Sequence, residues 1–262
     1  QYFKLKRKIS FFNPIWSDKG DLYIAEDSSG WWNLTQIRTD TNNKCITIFQ
    51  NKWTMKAEIA FPQWLLGMSS FSCVGDDVVG VYAKEGIWTL AFFKNNGSIQ
   101  TINQPFNDFA GLHSHQNRLV AIASSSLISE GIFELDLLNK TWDHSPASSL
   151  SLDSTKISIG ESFWFIGSNE DRVHAWYYPP IERQILPPPL LVKSHSGPTG
   201  MARCGLDLEV QFWTSRGWAV VDVNYGGSSG FGREYRDRLR GNWREIDILD
   251  CSKAVECLIE TG

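Results

Sequence analysis

Residues 226–230 read Gly226-Gly227-Ser228-Ser229-Gly230, a match to the G-x-S-x-G spacing in which many hydrolases hold a nucleophilic serine. That chemistry needs the serine on a sharp turn running straight into a helix, so that the helix N-terminus faces the developing oxyanion. Here the next residues are SGFGREY, which put Gly230 and Gly232 where the first helical turn would lie. Each glycine inside a helix costs about 1 kcal/mol relative to alanine. The stretch is therefore expected to be a loop, with Ser228 not a nucleophile. In such hydrolases the acid and then the histidine follow the serine in the chain. His113, His115, His144 and His174 all precede Ser228 and are expected at the surface rather than as catalytic bases. No catalytic residue is assigned.

Other chemistries find less support. The five cysteines (Cys45, Cys73, Cys204, Cys251, Cys257) form no C-x-x-C pair and leave one over, so neither metal spacing nor an even disulfide framework is present. No P-loop occurs, and no Gly-x-Gly opens a helix after a strand in dinucleotide-binding form. No cofactor or metal is expected. The arginines Arg233, Arg236, Arg238, Arg240 and Arg244 are diluted by Glu234, Asp237 and Glu245 and are expected to be a solvated face. A formal net charge of -4 argues against a nucleic-acid partner, because phosphate binding needs a concentrated basic surface.

The elements that would position any site fall into two grammars. From Lys8 to about Ser154 the chain reads as short strands between turns. Residues 20–27 with 30–37, 76–83 with 86–93, and 117–124 with 131–138 form three pairs of β-branched and aromatic runs. Leu22, Val78 and Leu119 hold equivalent places in the first strand of each pair, and Leu34, Leu90 and Leu135 in the second. NPIWS (13–17) answers FPQWL (61–65), with Pro14 and Pro62 in register. Copies spaced by about 41 to 56 residues are in the range of four-stranded propeller blades. Trp16, Trp31, Trp32, Trp64 and Trp88, among twelve tryptophans, then read as aromatics packed between blades. Three such units cannot close a ring without exposing sheet edges, which implies further residues upstream.

From about Glu161 the pattern changes. Residues 162–180 read as a hairpin and 181–189 as a Pro-rich connector. PLLVKSH (189–195) and WAVVDVNY (218–225) read as buried parallel strands. Between them a helix is expected with Leu206, Val210 and Trp213 on one face, stopping at Gly217. A last helix is expected from Asp247, as its N-cap, with Ile248, Cys251, Val255 and Leu258 at helical spacing and Asp250 in its first turn. Strand, helix, strand, loop, helix is the opening of a doubly wound α/β sheet.

Hydrophobic content of 42% is ordinary for a globular protein, and no run approaches the roughly 18–20 apolar residues of a membrane helix. Unpaired thiols and the absence of a signal-like start lead to the expectation of an intracellular, cytoplasmic protein. The chain lacks an initiator Met and stops just after a helical pattern, so a fragment is expected.

LLVKSHSGPTG, then QFWTSRGWAVVDVNYGGSSGFGREYRDRLRGNW, then IDILDCSKAVECLIETG resemble the prolyl oligopeptidase family of serine peptidases, in its acylaminoacyl-peptidase and dipeptidyl-aminopeptidase-like branch. WSDKGDLYIAEDSSGWWNL fits the same branch. The resemblance implies a partial β-propeller of about three blades over residues 1–160. It implies the N-terminal part of an α/β-hydrolase domain over 161–262, cut before the nucleophile elbow. The implied activity is cleavage of oligopeptides through a serine ester, with this chain alone inactive. The alternative is a non-catalytic propeller binding module or pseudoenzyme. The family's His-Gly-Gly-Pro is His195-Ser196-Gly197-Pro198 here, so Ser196 and Gly197 are implied to form half of an oxyanion hole, with Ser196 strained if its position requires a positive φ. Tyr225, Gly227 and Gly230 are implied to shape the loop beside the active site, and Trp243 to anchor the segment before the last helix.

Overall fold

The short β-branched and aromatic runs pair with their neighbours in the chain. In the computed structural model, which describes residues 9–40, 45–48, 52–149, 152–182 and 187–261, they build four sheets of four strands each. The first is an antiparallel meander of β1 (Phe11–Trp16), β2 (Leu22–Glu26), β3 (Asn33–Asp40) and β4 (Cys45–Ile48). The second repeats it with β5 (Phe71–Val74), β6 (Asp77–Lys84), β7 (Ile87–Phe93) and β8 (Ile99–Thr101). The third comprises β9 (Asp108–His115), β10 (Arg118–Ser124), β11 (Gly131–Asp136) and β12 (Trp142–Pro146). None of these sheets closes on itself.

Register shows how far the repeat extends. Leu22 opposes Ile37 and Ala25 opposes Leu34 in the first meander; Val78 opposes Phe93 and Val81 opposes Leu90 in the second. The third departs from the expectation. Leu135 sits directly opposite Leu119, in the place of Ile37 and Phe93 rather than of Leu34 and Leu90. NPIWS and FPQWL are not equivalent either. Pro14 lies within β1, where the register shifts, whereas Pro62 begins a turn and the strand corresponding to β1 is β5.

The sheets pack face to face. Tyr23, Trp32, Leu34, Trp53, Ile59, Phe71, Val78 and Phe93 fill the space between the first and second. Phe61, Val81, Trp88, Leu90, Phe106, Phe109, Leu119, Phe133 and Leu135 fill that between the second and third. Burying one such side chain fully contributes about 1.5–3 kcal/mol. Trp32 and Trp88 are thus inter-sheet aromatics as expected. Trp16 and Trp64 are not: they are 62% and 50% exposed, one at the end of edge strand β1 and the other in a turn. Trp31 is half-buried against Gly232.

The fourth sheet is mixed. β13 (Glu161–Ile166) and β14 (Arg172–Tyr178) form the expected hairpin; β16 (Ala219–Asn224) joins β14 antiparallel, and β15 (Leu190–Ser194) joins β16 parallel. All six residues of β16 are buried, because strands flank it and helices cover both faces. β15 is the edge strand of the order β13-β14-β16-β15, so Val192 is exposed and the expected fully buried run is not found there. Part of the Pro-rich connector, residues 183–186, lies outside the described residues.

α1 (Leu208–Thr214) covers one face through Val210 and Thr214. Its N-cap is Asp207, whose carboxylate accepts the Glu209 and Val210 N–H groups. Leu206 therefore precedes the helix instead of sharing its apolar face, and Ser215, before Gly217, ends it. α2 (Arg233–Asp237) is a single short turn beyond β16. α3 (Ile246–Thr261) covers the other face through Ile246, Asp250 and Ala254. The stripe expected to begin at Ile248 is rotated, leaving Ile248 exposed while Cys251 and Leu258 pack at its margin. Asp247 lies inside the first turn, not at the N-cap.

His174, expected at the surface, is fully buried in β14. It contacts Ser162 Oγ and Asn224 Nδ2, each at 2.9 Å. Burial pushes its pKa down to about 4, so it stays neutral at ordinary pH.

Candidate functional site

β15 and β16 run parallel, so the turns that follow them, 195–200 and 225–232, emerge side by side at one end of the sheet. This places His195, Ser196 and Gly197 next to Tyr225, Gly227, Ser228 and Gly230. The Tyr225 ring stacks on the His195 ring, with centroids 4.5 Å apart and planes 13° apart. Tyr225 Oη donates to the His195 carbonyl at 3.1 Å, and Ser229 N donates to the Gly200 carbonyl at 2.8 Å. The sequence-predicted loop and turn residues are therefore brought together.

Ser228 is fully buried, and its φ is not positive. Its hydroxyl donates to the Tyr225 carbonyl at 2.8 Å and lies 2.7 Å from His195 Nε2. With the one hydroxyl proton committed to a carbonyl, Nε2 is the donor of that second contact. Activation of a serine requires the reverse direction, from Oγ to an unprotonated imidazole nitrogen. Burial holds the His195 pKa below its ordinary range. α2 begins only at Arg233, after Gly232, so Ser228 does not lead directly into a helix.

In the neighbouring turn Ser196 is exposed and has no positive φ, so the expected strain at that position is absent. Gly197 takes the left-handed conformation instead, at φ +67°. The Trp64 ring lies against its Cα, where a Cβ would fall 2.3 Å from Cζ2. Trp64 Nε1 donates to Thr199 Oγ1 at 2.8 Å. Trp64 thus caps this turn from a segment more than a hundred residues away in sequence.

The 225–232 loop is held from three sides. Asp250 of α3 is fully buried and accepts Gly226 N, Ser168 N and Ser168 Oγ, each at 2.7 Å. Expected as an N-terminal helix-dipole partner, it is instead an internal anchor. Tyr235 Oη donates to the Asn224 carbonyl, and Gly227 N to the Tyr235 carbonyl. Glu58, 0% exposed, accepts from the Trp32 N–H group and lies 3.6 Å from Arg236 Nη1. Burial pushes its carboxyl up to about 7, against the pull of Arg236.

The arginine cluster is not a solvated face throughout. Arg233 and Arg236 both pair with buried Asp27, and Arg236 Nη1 lies 3.6 Å from Glu58 Oε2. Arg238 donates to the Arg172 carbonyl and faces Asp171. Arg240, paired with Asp237, and Arg244 are exposed. The network ties the loop to the Asp27–Gly30 turn of the first sheet, a pairing across about 200 residues that charge counting along the chain cannot detect. Trp243, expected as an anchor, is 58% exposed.

Among the described residues no group of three or more His, Cys, Asp or Glu is placed to hold a metal ion, and no helix is long and apolar enough to cross a membrane. Cys73, Cys204, Cys251 and Cys257 are free thiols.

Residues 205–262, which include the loop and its anchoring helix, match the prolyl oligopeptidase family. That span is where the resemblance to the family is strongest. The wider likeness covers nearly all of it. A puromycin-hydrolyzing peptidase of Mycobacterium tuberculosis superposes with a TM-score of 0.89 at 28% identity, over 97% of this chain and 40% of that one. The dipeptidyl-peptidase 5 of Aspergillus fumigatus is 33% identical over 44% of this chain and 17% of its own length. The acylamino-acid-releasing enzyme of Arabidopsis thaliana is 32% identical over 28% of this chain and 10% of its own. The chain therefore spans about 40% of the solved relative and less of the curated ones. Prolyl oligopeptidase family proteins are serine peptidases acting on peptides. Trp64, Glu58, Asp27 and Asp250 support the turn and loop, and no motif in the sequence marks them as site residues. His195 was read only as part of the turn motif.

Proposed function

We propose that the chain is part of a serine peptidase that acts on oligopeptides, contributing a propeller portion over 1–160 and the start of an α/β-hydrolase domain over 161–262. The three meanders correspond to blades, and the mixed sheet with α1 and α3 on opposite faces to the beginning of the hydrolase fold. Within it, the Ser196–Gly197 turn supplies a backbone N–H to the oxyanion of the tetrahedral intermediate. Tyr225, Gly227 and Gly230 hold the adjoining loop in shape, and Ser228 is a structural residue. The reading rests on one observation above all: the Ser228 proton is bonded to the Tyr225 carbonyl inside a buried loop, while Ser196 in the turn beside it is exposed. On this reading the 262 residues alone do not hydrolyse peptides.

A fluorophosphonate probe applied to the 262-residue protein tests this. No adduct on Ser228 and no release of nitroaniline from aminoacyl nitroanilides is the expected result. A stoichiometric adduct on Ser228, with activity lost in Ser228→Ala, overturns it.

A further inference from the structure

The turn between β7 and β8 carries the sequence's one Asn-Gly pair, Asn96-Gly97. Lys94 N donates to the Ser98 carbonyl and Gly97 N to the Lys94 carbonyl, each at 2.8 Å, so Asn95, Asn96 and Gly97 form the tip. Asn96 is exposed, and its Oδ1 accepts Ser98 N at 3.0 Å and Ser98 Oγ at 2.7 Å. Those two bonds fold the side chain back over the Gly97 peptide. They also set two donors on the amide oxygen, where negative charge gathers when the amide carbon is attacked. Gly97, at φ +89°, has no Cβ to shield its nitrogen. We infer that Asn96 is a self-modifying site, its side-chain amide displaced by the Gly97 backbone nitrogen through a cyclic imide.

The atoms balance with water as the only co-reactant. The Gly97 nitrogen gives its proton to solvent base and bonds to Asn96 Cγ; the Cγ–Nδ2 bond breaks, and Nδ2 takes up a proton and leaves as ammonia. Water then opens the ring at either carbonyl, leaving aspartate or isoaspartate, with nothing oxidised or reduced. The bond from Gly97 N to Lys94 must open first, and it lies at an exposed hairpin tip, where local opening costs least. Other asparagines lack this arrangement. Asn139, exposed in the β11–β12 turn, gives its Nδ2 to Asp136 at 2.9 Å and is followed by Lys140, whose side chain crowds the attacking nitrogen. Asn33 is fully buried, with Nδ2 on the Met55 and Ala57 carbonyls. Either product adds a negative charge to a turn that already holds Asp77 on Asn95 N and Lys94 Nζ. Isoaspartate also lengthens the backbone beside the Phe93–Ile99 pair.

The test is to age the 262-residue protein in mildly alkaline buffer and follow amide loss by peptide mass spectrometry, with isoaspartyl methyltransferase labelling to mark the isoaspartate. Loss at Asn96 is expected at least tenfold faster than at Asn139, with both aspartate and isoaspartate formed. Gly97→Asp is expected to slow it at least tenfold, because aspartate tolerates a positive φ and keeps the turn while covering the nitrogen. Equal rates at the two asparagines, an unchanged rate in Gly97→Asp, or aspartate without isoaspartate overturns the site. The result is independent of the peptidase reading, which the Ser228 probe decides.

Discussion

Two turns leave the same end of the same sheet and differ in what their polar groups do. The 225–232 loop contains the motif serine, yet Asp250 and the Tyr235, Gly200 and Tyr225 carbonyls take up its N–H and hydroxyl groups. The 195–200 turn has no nucleophile motif and rests mainly on Trp64 and the stacked Tyr225. A polar group that is already bonded and buried is unavailable to a substrate, whatever its sequence context. The loop is framework, and in the turn Ser196 remains exposed.

This contrast can be broken by substitution. The largest effect is expected at Asp250. Asp250→Ala removes one acceptor from three buried or half-buried donors and should cost on the order of 3 kcal/mol or more, read as the urea midpoint. Amide exchange at Gly226 should accelerate while the 195–200 turn is unaffected; equal acceleration in both would end the distinction.

An effect of similar size is expected from pH through Glu58. Its carboxyl moves from an ordinary 4.5 to about 7 on folding, so the folded chain holds this proton more tightly than the unfolded one. The stability it contributes is complete below about 4.5 and is lost as pH rises through 7, a difference on the order of 3 kcal/mol. Unfolding midpoints should fall between pH 5 and 8, and Glu58→Gln should flatten that slope. An unchanged slope in the variant would show that another group is responsible.

The same glycine substitution in both turns gives the next comparison. Gly227→Ala forces a side chain into φ +118° against Leu239 Cβ at 2.6 Å, in a packed surrounding, and should cost about 2–3 kcal/mol. Gly197→Ala meets the half-exposed Trp64 ring, which must give up its Thr199 bond to move, and should cost about 2 kcal/mol. Thermal unfolding of the pair checks the order; the reverse order would make the turn the rigid element. The smallest effect belongs to Ser228→Ala, about 1–2 kcal/mol, from the loss of its bonds to the Tyr225 carbonyl and His195 Nε2.

Much of this architecture was legible in the chain. Alternating β-branched and aromatic runs gave the three hairpins β2–β3, β6–β7 and β10–β11, because period-two patterning and turn residues act locally. The glycines at 230 and 232 indicated a loop for the same local reason. Where the reading went astray, the missing information was non-local. Trp16 and Trp64 have the composition of core residues but sit at a strand end and in a turn. The third meander kept the pattern of the first two and changed its register.

By itself, then, the sequence determined the three strand pairs of the meanders, the hairpin at 162–180 and that a motif serine sits in a glycine-rich loop. Those properties follow from local backbone preference and periodicity. Tertiary structure alone decided that Ser228 bonds inward, that Arg233 and Arg236 reach Asp27, and that Trp64 stands over Gly197. Each joins residues far apart in sequence, and their contact energies exist only once the sheets have packed.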